Sequence, residues 1–185
     1  MDKKKITKIA IRGLIGVVLI LLAFFISKKM MKEREKRKQI LELPEMKLNE
    51  IDGDSIALTP TDTRNKILII NYFNTHCDFC LHEIKDFREH VHLFPKTQIM
   101  LISAQEADTL RQFRKSSSLD SISHMKVYQC KYVKFTEHFG DVVPPTTFVY
   151  DSNQRLIKKY KGQIRATVVA NDIKNYYKNK NYDSN

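Results

Sequence analysis

The chain has 185 residues, of which 42% are hydrophobic and 29% charged, enough for one ordinary folded domain with an appendage. Its three cysteines are too few for a scaffold held together by several disulfides, and they leave one pair plus one extra thiol. Of the net charge of +11, +8 lies in residues 1–42 around an apolar segment, which suits a membrane surface and argues against a nucleic-acid-binding groove elsewhere.

That apolar segment predicts a single membrane anchor. Residues 13–26 are uncharged, and the Lys and Arg side chains on both sides can reach the lipid headgroups, which allows a short segment to span a bilayer. No small-residue cleavage site follows, so an uncleaved signal-anchor is favoured over a cleaved signal peptide. We therefore expect a basic flank at 1–12 and a transmembrane helix at 13–27, and the charges on the two flanks do not select an orientation.

The next segments lead into the folded domain. Charges of both signs fill residues 28–43 and predict a solvated helical stalk. Alternating apolar residues around the Asp-Gly-Asp turn at 52–54 predict a short hairpin at the domain's edge. The domain itself is expected to cover 44–178, followed by a frayed tail at 179–185.

Strands and helices alternate through the rest of the chain. The apolar run 67–73 predicts a buried strand, and apolar residues at helical spacing after it predict a helix of about four turns that stops at Pro95. The further predicted strands are 98–103, 125–128, 146–150 and 155–160, and the further predicted helices are 107–115, 132–139 and 167–177. This alternation, closed by a hairpin and a helix, indicates a layered α/β domain with a mixed sheet.

Two cysteines separated by two residues follow the first buried strand. The spacing places Cys77 at the start of the next helix and Cys80 one turn inside it, so only Cys77 can present its sulfur outward beside unpaired N–H groups. These donors and the positive end of the helix dipole favour a thiolate. The layout is typical of a redox centre, whereas a complete zinc site needs a second ligand pair, which the lone Cys130 does not supply.

Two motifs stand in a fixed order in this domain. They are NYFNTHCDFCLHE at 71–83 and GDVVPPTTF at 140–148. The first resembles the Asn-Phe-Trp-x-x-Trp-Cys-x-x-Cys-x-x-Glu segment, and the second the Gly-x-x-x-Val-Pro-Thr-Thr-Phe segment, of the TlpA-like group of membrane-anchored, thioredoxin-like thiol-disulfide oxidoreductases. The resemblance covers about residues 44–178. It implies a thioredoxin-like fold, with a mixed central sheet flanked by helices and an amino-terminal hairpin.

The resemblance also implies a role for each residue of the dithiol site. Cys77 would attack a client disulfide, and Cys80 would resolve the mixed disulfide, leaving a redox-active disulfide between the two. Glu83 lies three residues after Cys80 on the same helical face, where it would assist proton transfer. The alternative for Glu83 is an ordinary surface glutamate near the helix start. No cofactor and no metal ion are implied.

The second motif would supply the surface that faces the dithiol. Pro145 matches the proline that is cis in this fold, and Pro144, Thr146 and His76 would join it in contacting substrate. Pro144 replaces the usual valine and has no N–H, so one of the two backbone hydrogen bonds normally offered to a substrate peptide is missing. We therefore expect substrate docking to differ from that of the relatives.

The residues beside the nucleophile leave the direction of the reaction open. Protonated His76 would favour the Cys77 thiolate, whereas ionised Asp78 would oppose it. These opposing effects do not decide whether the pair reduces or oxidises its clients. The remaining thiol, Cys130, is expected to be a buried apolar residue.

Three other functions stay open. A thiol peroxidase would have Thr or Ser three residues before the reactive cysteine, where this chain has Asn74. A copper carrier would combine Cys77 and Cys80 with a distant histidine such as His138, and a docking module would use the same surface without turnover. The resemblance implies an extracytoplasmic domain with client proteins that carry disulfides or dithiols, a membrane or soluble thiol electron donor, and the membrane as partners.

Overall fold

The computed structural model describes residues 3–53, 55–59 and 65–182. Two compact units are distinguished, of which the first ends at Lys38 and the second begins at Gln39. The helices are α1 (Lys3–Gln39), α2 (Asp78–Glu89), α3 (Ala107–Ser116), α4 (Tyr132–Phe139) and α5 (Ala166–Tyr182). The strands are β1 (Met46–Glu50), β2 (Ser55–Leu58), β3 (Ile67–Tyr72), β4 (Thr97–Ser103), β5 (Met125–Gln129), β6 (Thr146–Tyr150) and β7 (Leu156–Lys161).

The first unit consists of most of α1. Between Ile15 and Met31 its described large apolar side chains are between 49% and 70% exposed. No helix among the described residues has a stretch long and apolar enough to cross a membrane. The transmembrane helix predicted at 13–27 falls partly on side chains outside the described set, and it stays a prediction.

The second unit is built on one seven-stranded sheet in the order β2-β1-β5-β4-β3-β6-β7. The three central strands β3, β4 and β5 run parallel, and the other pairings are antiparallel. The predicted mixed sheet and the amino-terminal hairpin are therefore confirmed, although Asp54 of the hairpin turn lies outside the described residues. Helices cover both faces of the central strands, which explains why β3 and β4 are almost continuously apolar.

Alternate residues of the central strands pack into two separate apolar layers. Ile69 of β3 points into the layer that also holds apolar residues of α2, α3 and α5. Its neighbours Leu68 and Ile70 point to the other face, where α4 contributes Phe135 and Phe139. The dithiol helix α2 therefore packs on the sheet in the same apolar layer as α3 and α5.

The helix after the dithiol is shorter than predicted. α2 ends at Glu89, and a single 3-10 turn from Val91 to Leu93 precedes Pro95. The backbone of His90 leaves the helical region at φ −106° and ψ 21°, which breaks the predicted four-turn helix. Phe94 is still buried and stacks on Phe87 at 5.4 Å between ring centroids, so the apolar spacing correctly predicted burial.

The last helix is longer than predicted. α5 continues to Tyr182, past the predicted end at 177. Two of its late residues are tied to the buried carboxylate of Asp151: the Tyr176 hydroxyl donates to it at 2.9 Å, and the Lys180 ammonium at 3.1 Å. These contacts extend the ordered helix into the segment predicted to be frayed.

Truncation of Phe135 should destabilise the domain. This fully buried ring stacks on Tyr72 at 4.6 Å and on Phe139 at 4.5 Å, so Phe135→Ala leaves a cavity and should cost about 3–5 kcal/mol in the free energy of unfolding. Urea unfolding of the full chain in detergent measures it. Val133 on the same helix is 64% exposed, and Val133→Ala should change the free energy by less than about 0.5 kcal/mol. Equal effects of the two substitutions would contradict the packing described for α4.

Candidate active site

Cys77 forms the amino-terminal cap of α2, as the spacing predicted. Its backbone is extended, at φ −105° and ψ 105°, and its Sγ accepts a hydrogen bond from the backbone N–H of Cys80 at 3.3 Å. The side chain is half-buried, and all three cysteines are free thiols. The Cys77 sulfur is thus reachable from solvent while an amide at the positive end of the helix dipole faces it.

Cys80 lies behind Cys77 and is fully buried. Burial, and to a smaller extent its interaction with the Cys77 side chain, raises the pKa of Cys80 to about 12. A thiol in this environment holds its proton firmly at neutral pH. If Cys80 is to act as a nucleophile, a neighbouring group has to accept that proton.

Glu83 carries a buried carboxyl group three residues after that thiol on the same helix. Its side chain has no exposed surface, so it is not the surface glutamate that the sequence left as an alternative. Oε1 accepts hydrogen bonds from Asn71 Nδ2 at 2.7 Å and from the Thr147 hydroxyl at 2.6 Å. Oε2 accepts from the backbone N–H of Ile164 at 3.0 Å. One carboxyl group thus joins α2 to β3, to β6 and to the segment that precedes α5.

The surroundings of Glu83 bring its pKa close to neutral pH. Burial raises the pKa of Glu83 to about 7. The donors on Thr147, Ile164 and Asn71 stabilise the ionised form and partly offset this effect, while the negative charge of Asp86 adds to it. A group with this pKa can both accept and release a proton at physiological pH.

The loop before β6 faces Cys77. The peptide bond between Pro144 and Pro145 is cis, as the resemblance implied. The Pro144 carbonyl lies 4.0 Å from Cys77 Sγ and accepts from its thiol. Thr146 is buried, and its hydroxyl donates to the Val143 carbonyl at 2.7 Å, so this side chain supports the loop. Of the predicted substrate contacts, Pro144 and His76 are the ones whose side chains reach the surface.

Gln105, which follows β4, is a site residue that the sequence did not reveal. Its Oε1 accepts from the backbone N–H of Thr75 at 2.7 Å, which fixes the orientation of the amide. Its Nε2 therefore donates, to the Thr75 hydroxyl at 2.8 Å and to His76 Nδ1 at 3.1 Å. In the neutral imidazole, this contact corresponds to the tautomer that carries its proton on Nε2.

Exposed apolar side chains lie near Cys77 and the loop that faces it. Phe79, between the two cysteines, is 65% exposed, and Val143, next to the cis peptide, is 77% exposed. The Tyr132 hydroxyl donates to the Val142 carbonyl at 3.4 Å, which places this partly exposed ring beside the same loop. A polypeptide that approaches Cys77 therefore meets an apolar rim.

The two residues considered for the alternative functions, His138 and Asn74, lie in a separate cavity and in a local hydrogen bond, respectively. Within the described ranges, no group of three or more His, Cys, Asp and Glu side chains could hold a metal ion. His138 lines a separate cavity with Cys130, which is buried as expected. Asn74, at the position where a peroxidase would have Thr or Ser, accepts through Oδ1 from the His76 N–H at 2.8 Å.

The AhpC/TSA family profile matches residues 41–174. The chain belongs to the AhpC/TSA family. No curated protein matches this AhpC/TSA member.

Solved structures share the fold of this family member. A DsbF homologue from Corynebacterium diphtheriae is 24% identical at a TM-score of 0.59, with 71% of this chain and 83% of that chain covered. The exposed lipoprotein thioredoxin Etrx1 from Streptococcus pneumoniae is 18% identical at a TM-score of 0.57, with 71% of this chain and 99% of that chain covered. StoA from Bacillus subtilis is 13% identical at a TM-score of 0.54, with 70% of this chain and 96% of that chain covered. At these identities the likeness confirms the thioredoxin-like fold, and the TlpA-like group stays a prediction.

Glu83 should make the stability of this protein depend on pH in a defined direction. Its pKa is about 7 in the folded chain against 4.5 for the ordinary group, so the folded state binds the proton more tightly. The resulting contribution to the free energy of unfolding, about 3 kcal/mol, is complete below pH 4.5 and is lost as the pH rises through 7. Urea unfolding between pH 4 and 8 should show this loss in the wild type and not in Glu83→Gln.

A surface glutamate on the same helix gives the matched control. Glu89 is 49% exposed, and Glu89→Gln removes the same charge without touching the buried network. Its unfolding curve should follow the wild type across the pH range. A wild type whose stability, relative to Glu83→Gln, is flat or rises with pH would contradict a Glu83 pKa near 7.

Proposed function

We propose that this chain is a membrane-tethered thiol-disulfide oxidoreductase that exchanges disulfides with client proteins through Cys77 and Cys80. The observation that carries the proposal is the depth of the two sulfurs: Cys77 is reachable and faces an amide donor, whereas Cys80 is fully buried in the same helix as a carboxyl group of pKa about 7. This difference supports Cys77 as the attacking thiol and Cys80 as the resolving thiol.

The proposed reaction consists of two successive thiol-disulfide exchange steps. The Cys77 thiolate attacks one sulfur of a client disulfide, forming a mixed disulfide and releasing one client thiolate. Cys80 gives its proton to Glu83 and attacks Cys77 Sγ, which forms the Cys77-Cys80 disulfide and releases the second client thiolate. The client gains two electrons and takes up two protons, one from solvent and one from Glu83. The reverse sequence oxidises a client dithiol.

The surface around the nucleophile supports a polypeptide client. The exposed apolar rim formed by Phe79, Val143 and Tyr132 can bury apolar side chains next to a cystine. The Pro144 carbonyl beside Cys77 can accept a hydrogen bond from a client N–H, and proline offers no N–H in return. Clients are therefore expected to dock with one backbone hydrogen bond fewer than a valine at this position would allow.

Removal of the resolving thiol should trap clients. In Cys80→Ala the mixed disulfide on Cys77 cannot be resolved within the chain, so a peptide with one disulfide should accumulate as an adduct visible by non-reducing electrophoresis and mass spectrometry. Cys77→Ser should form no adduct and should lose exchange activity by at least about 10³-fold.

Cys130→Ser is the matched control for that experiment, because Cys130 is a buried thiol in a separate apolar cluster. It should exchange the peptide disulfide at the wild-type rate. Adduct formation on Cys130, or exchange that survives Cys77→Ser, would contradict the role of Cys77 as the attacking thiol. Hydrogen peroxide consumption faster than peptide exchange would instead support peroxide reduction by the same dithiol.

The apolar part of α1 supports the proposed tether, and the resemblance to membrane-anchored oxidoreductases supports an extracytoplasmic domain. The described large apolar side chains of α1 between Ile15 and Ile26 are exposed around the helix, a distribution that hydrocarbon accommodates and water does not. Lys and Arg residues flank this stretch on both sides. The electron partner would then be a thiol carrier in, or on the outer side of, the same membrane.

Charges introduced into the apolar stretch should release the protein from membranes. Leu21→Lys combined with Leu22→Lys should add about 6 kcal/mol to the cost of insertion and shift the full chain to the supernatant of an alkaline carbonate wash. Met31→Lys, outside the predicted span, should leave it in the pellet.

In intact cells, a maleimide that cannot cross the membrane should label Cys77. A wild type that washes off, or Cys77 that stays protected while cell lysis exposes it, would refute the tether or its orientation respectively.

A further inference from the structure

Two uncharged residues on neighbouring strands enclose the Glu83 carboxyl. Asn71 of β3 and Thr147 of β6 are directly opposite each other in the antiparallel pair. Both are buried, with 2% and 0% exposure. Asn71 Nδ2 donates to the Thr147 hydroxyl oxygen at 2.8 Å, and both side chains donate to Glu83 Oε1. The three side chains therefore form a closed triangle of hydrogen bonds inside the core.

In the arrangement observed, every contact of the carboxyl group is with a donor. Asn71, Thr147 and the Ile164 N–H all donate to it, which satisfies an ionised carboxylate. A protonated carboxyl has a proton of its own and needs an acceptor instead. A buried carboxyl that cycles between the two forms without such an acceptor would leave one form with an unsatisfied group, at a cost of about 1–3 kcal/mol.

Asn71 carries an acceptor that has no partner. Among the described side chains, its Oδ1 is one of the buried polar atoms without a hydrogen bond. A half-turn of the amide would put Oδ1 where Nδ2 now lies, within hydrogen-bond distance of both the Thr147 hydroxyl and Glu83 Oε1. The Thr147 hydroxyl can turn its proton without any movement of the backbone.

We propose that Asn71 and Thr147 are positioning residues that keep the Glu83 carboxyl hydrogen-bonded in both of its protonation states. When Glu83 takes the proton of Cys80, Oε1 donates to the Thr147 oxygen, the Thr147 hydroxyl donates to Asn71 Oδ1, and the amide reverses. When the proton leaves, the observed arrangement returns. No covalent bond other than those of the transferred proton changes, and Ile164 keeps its bond to Oε2.

This inference rests on the proposed role of Glu83 as the proton partner of Cys80, and it adds the means by which the carboxyl can change state. The charged or titratable groups that act on Glu83 are Cys80 and Asp86, both on its own helix. The strands β3 and β6 and the segment before α5 face it with the uncharged donors of Asn71, Thr147 and Ile164.

The test is a titration of Glu83 in the reduced full chain, followed through the ¹³C shift of its carboxyl carbon. Thr147→Val removes one partner of the carboxyl in each protonation state at nearly constant volume, so the two losses offset each other and the midpoint should move by less than about half a pH unit. Thr147→Ser keeps the hydroxyl and should titrate with the wild-type midpoint. A rise of about one pH unit in Thr147→Val, which is expected if the hydroxyl serves only the ionised carboxylate, would overturn the proposal.

A second measurement needs no substitution and covers the case in which Thr147→Val does not fold. The side-chain amide signals of Asn71 should change with the same midpoint as the Glu83 carboxyl carbon, because the amide reverses as the carboxyl titrates. Amide signals that stay constant through that midpoint would rule out the reversal.

The rate of peptide-disulfide exchange by the wild type is recorded in parallel. Failure of exchange with a normal titration removes the proposed function, whereas normal exchange without the coupled titration removes only this inference.

Discussion

A carboxyl group in the centre of an apolar core is unstable unless hydrogen bonds offset the loss of hydration. Glu83 meets this condition through donors from three separate elements, β3, β6 and the segment before α5, and these contacts hold the dithiol helix in register with the sheet. The same burial gives the carboxyl a pKa of about 7. The constraint that assembles the site therefore also sets its proton chemistry.

The position of α2 follows from this arrangement. Because Glu83 ties the second turn of the helix to the core, the first turn carries Cys80 inward and leaves Cys77 at the cap, where solvent and a client can reach it. The loop with the cis peptide and the side chain of Gln105 then complete the surface around Cys77. Depth in the fold, and not the identity of the residues, separates the two chemically identical thiols.

Much of this architecture could be predicted from local patterns. The alternation of strands and helices and the place of Cys77 at a helix start depend on neighbouring residues, and both were confirmed. The break at His90 was missed because apolar spacing continued to Phe94 across it. The partners of Glu83 were missed for another reason: Thr147 and Ile164 lie 64 and 81 residues away in sequence, and no local pattern reports such contacts. Gln105 lies 30 residues from Thr75, and it escaped notice for the same reason.

The central claim is that Glu83 accepts the proton of Cys80 during resolution. It is tested most directly by preparing the mixed disulfide between Cys77 and a small thiol and measuring the rate at which Cys80 displaces that thiol as a function of pH. The account predicts a rate that rises with pH through an inflection near 7, and the loss of that inflection, with a rate at least about 10²-fold lower at pH 7, in Glu83→Gln. A Glu83→Gln variant that keeps both the wild-type rate and the inflection would contradict it.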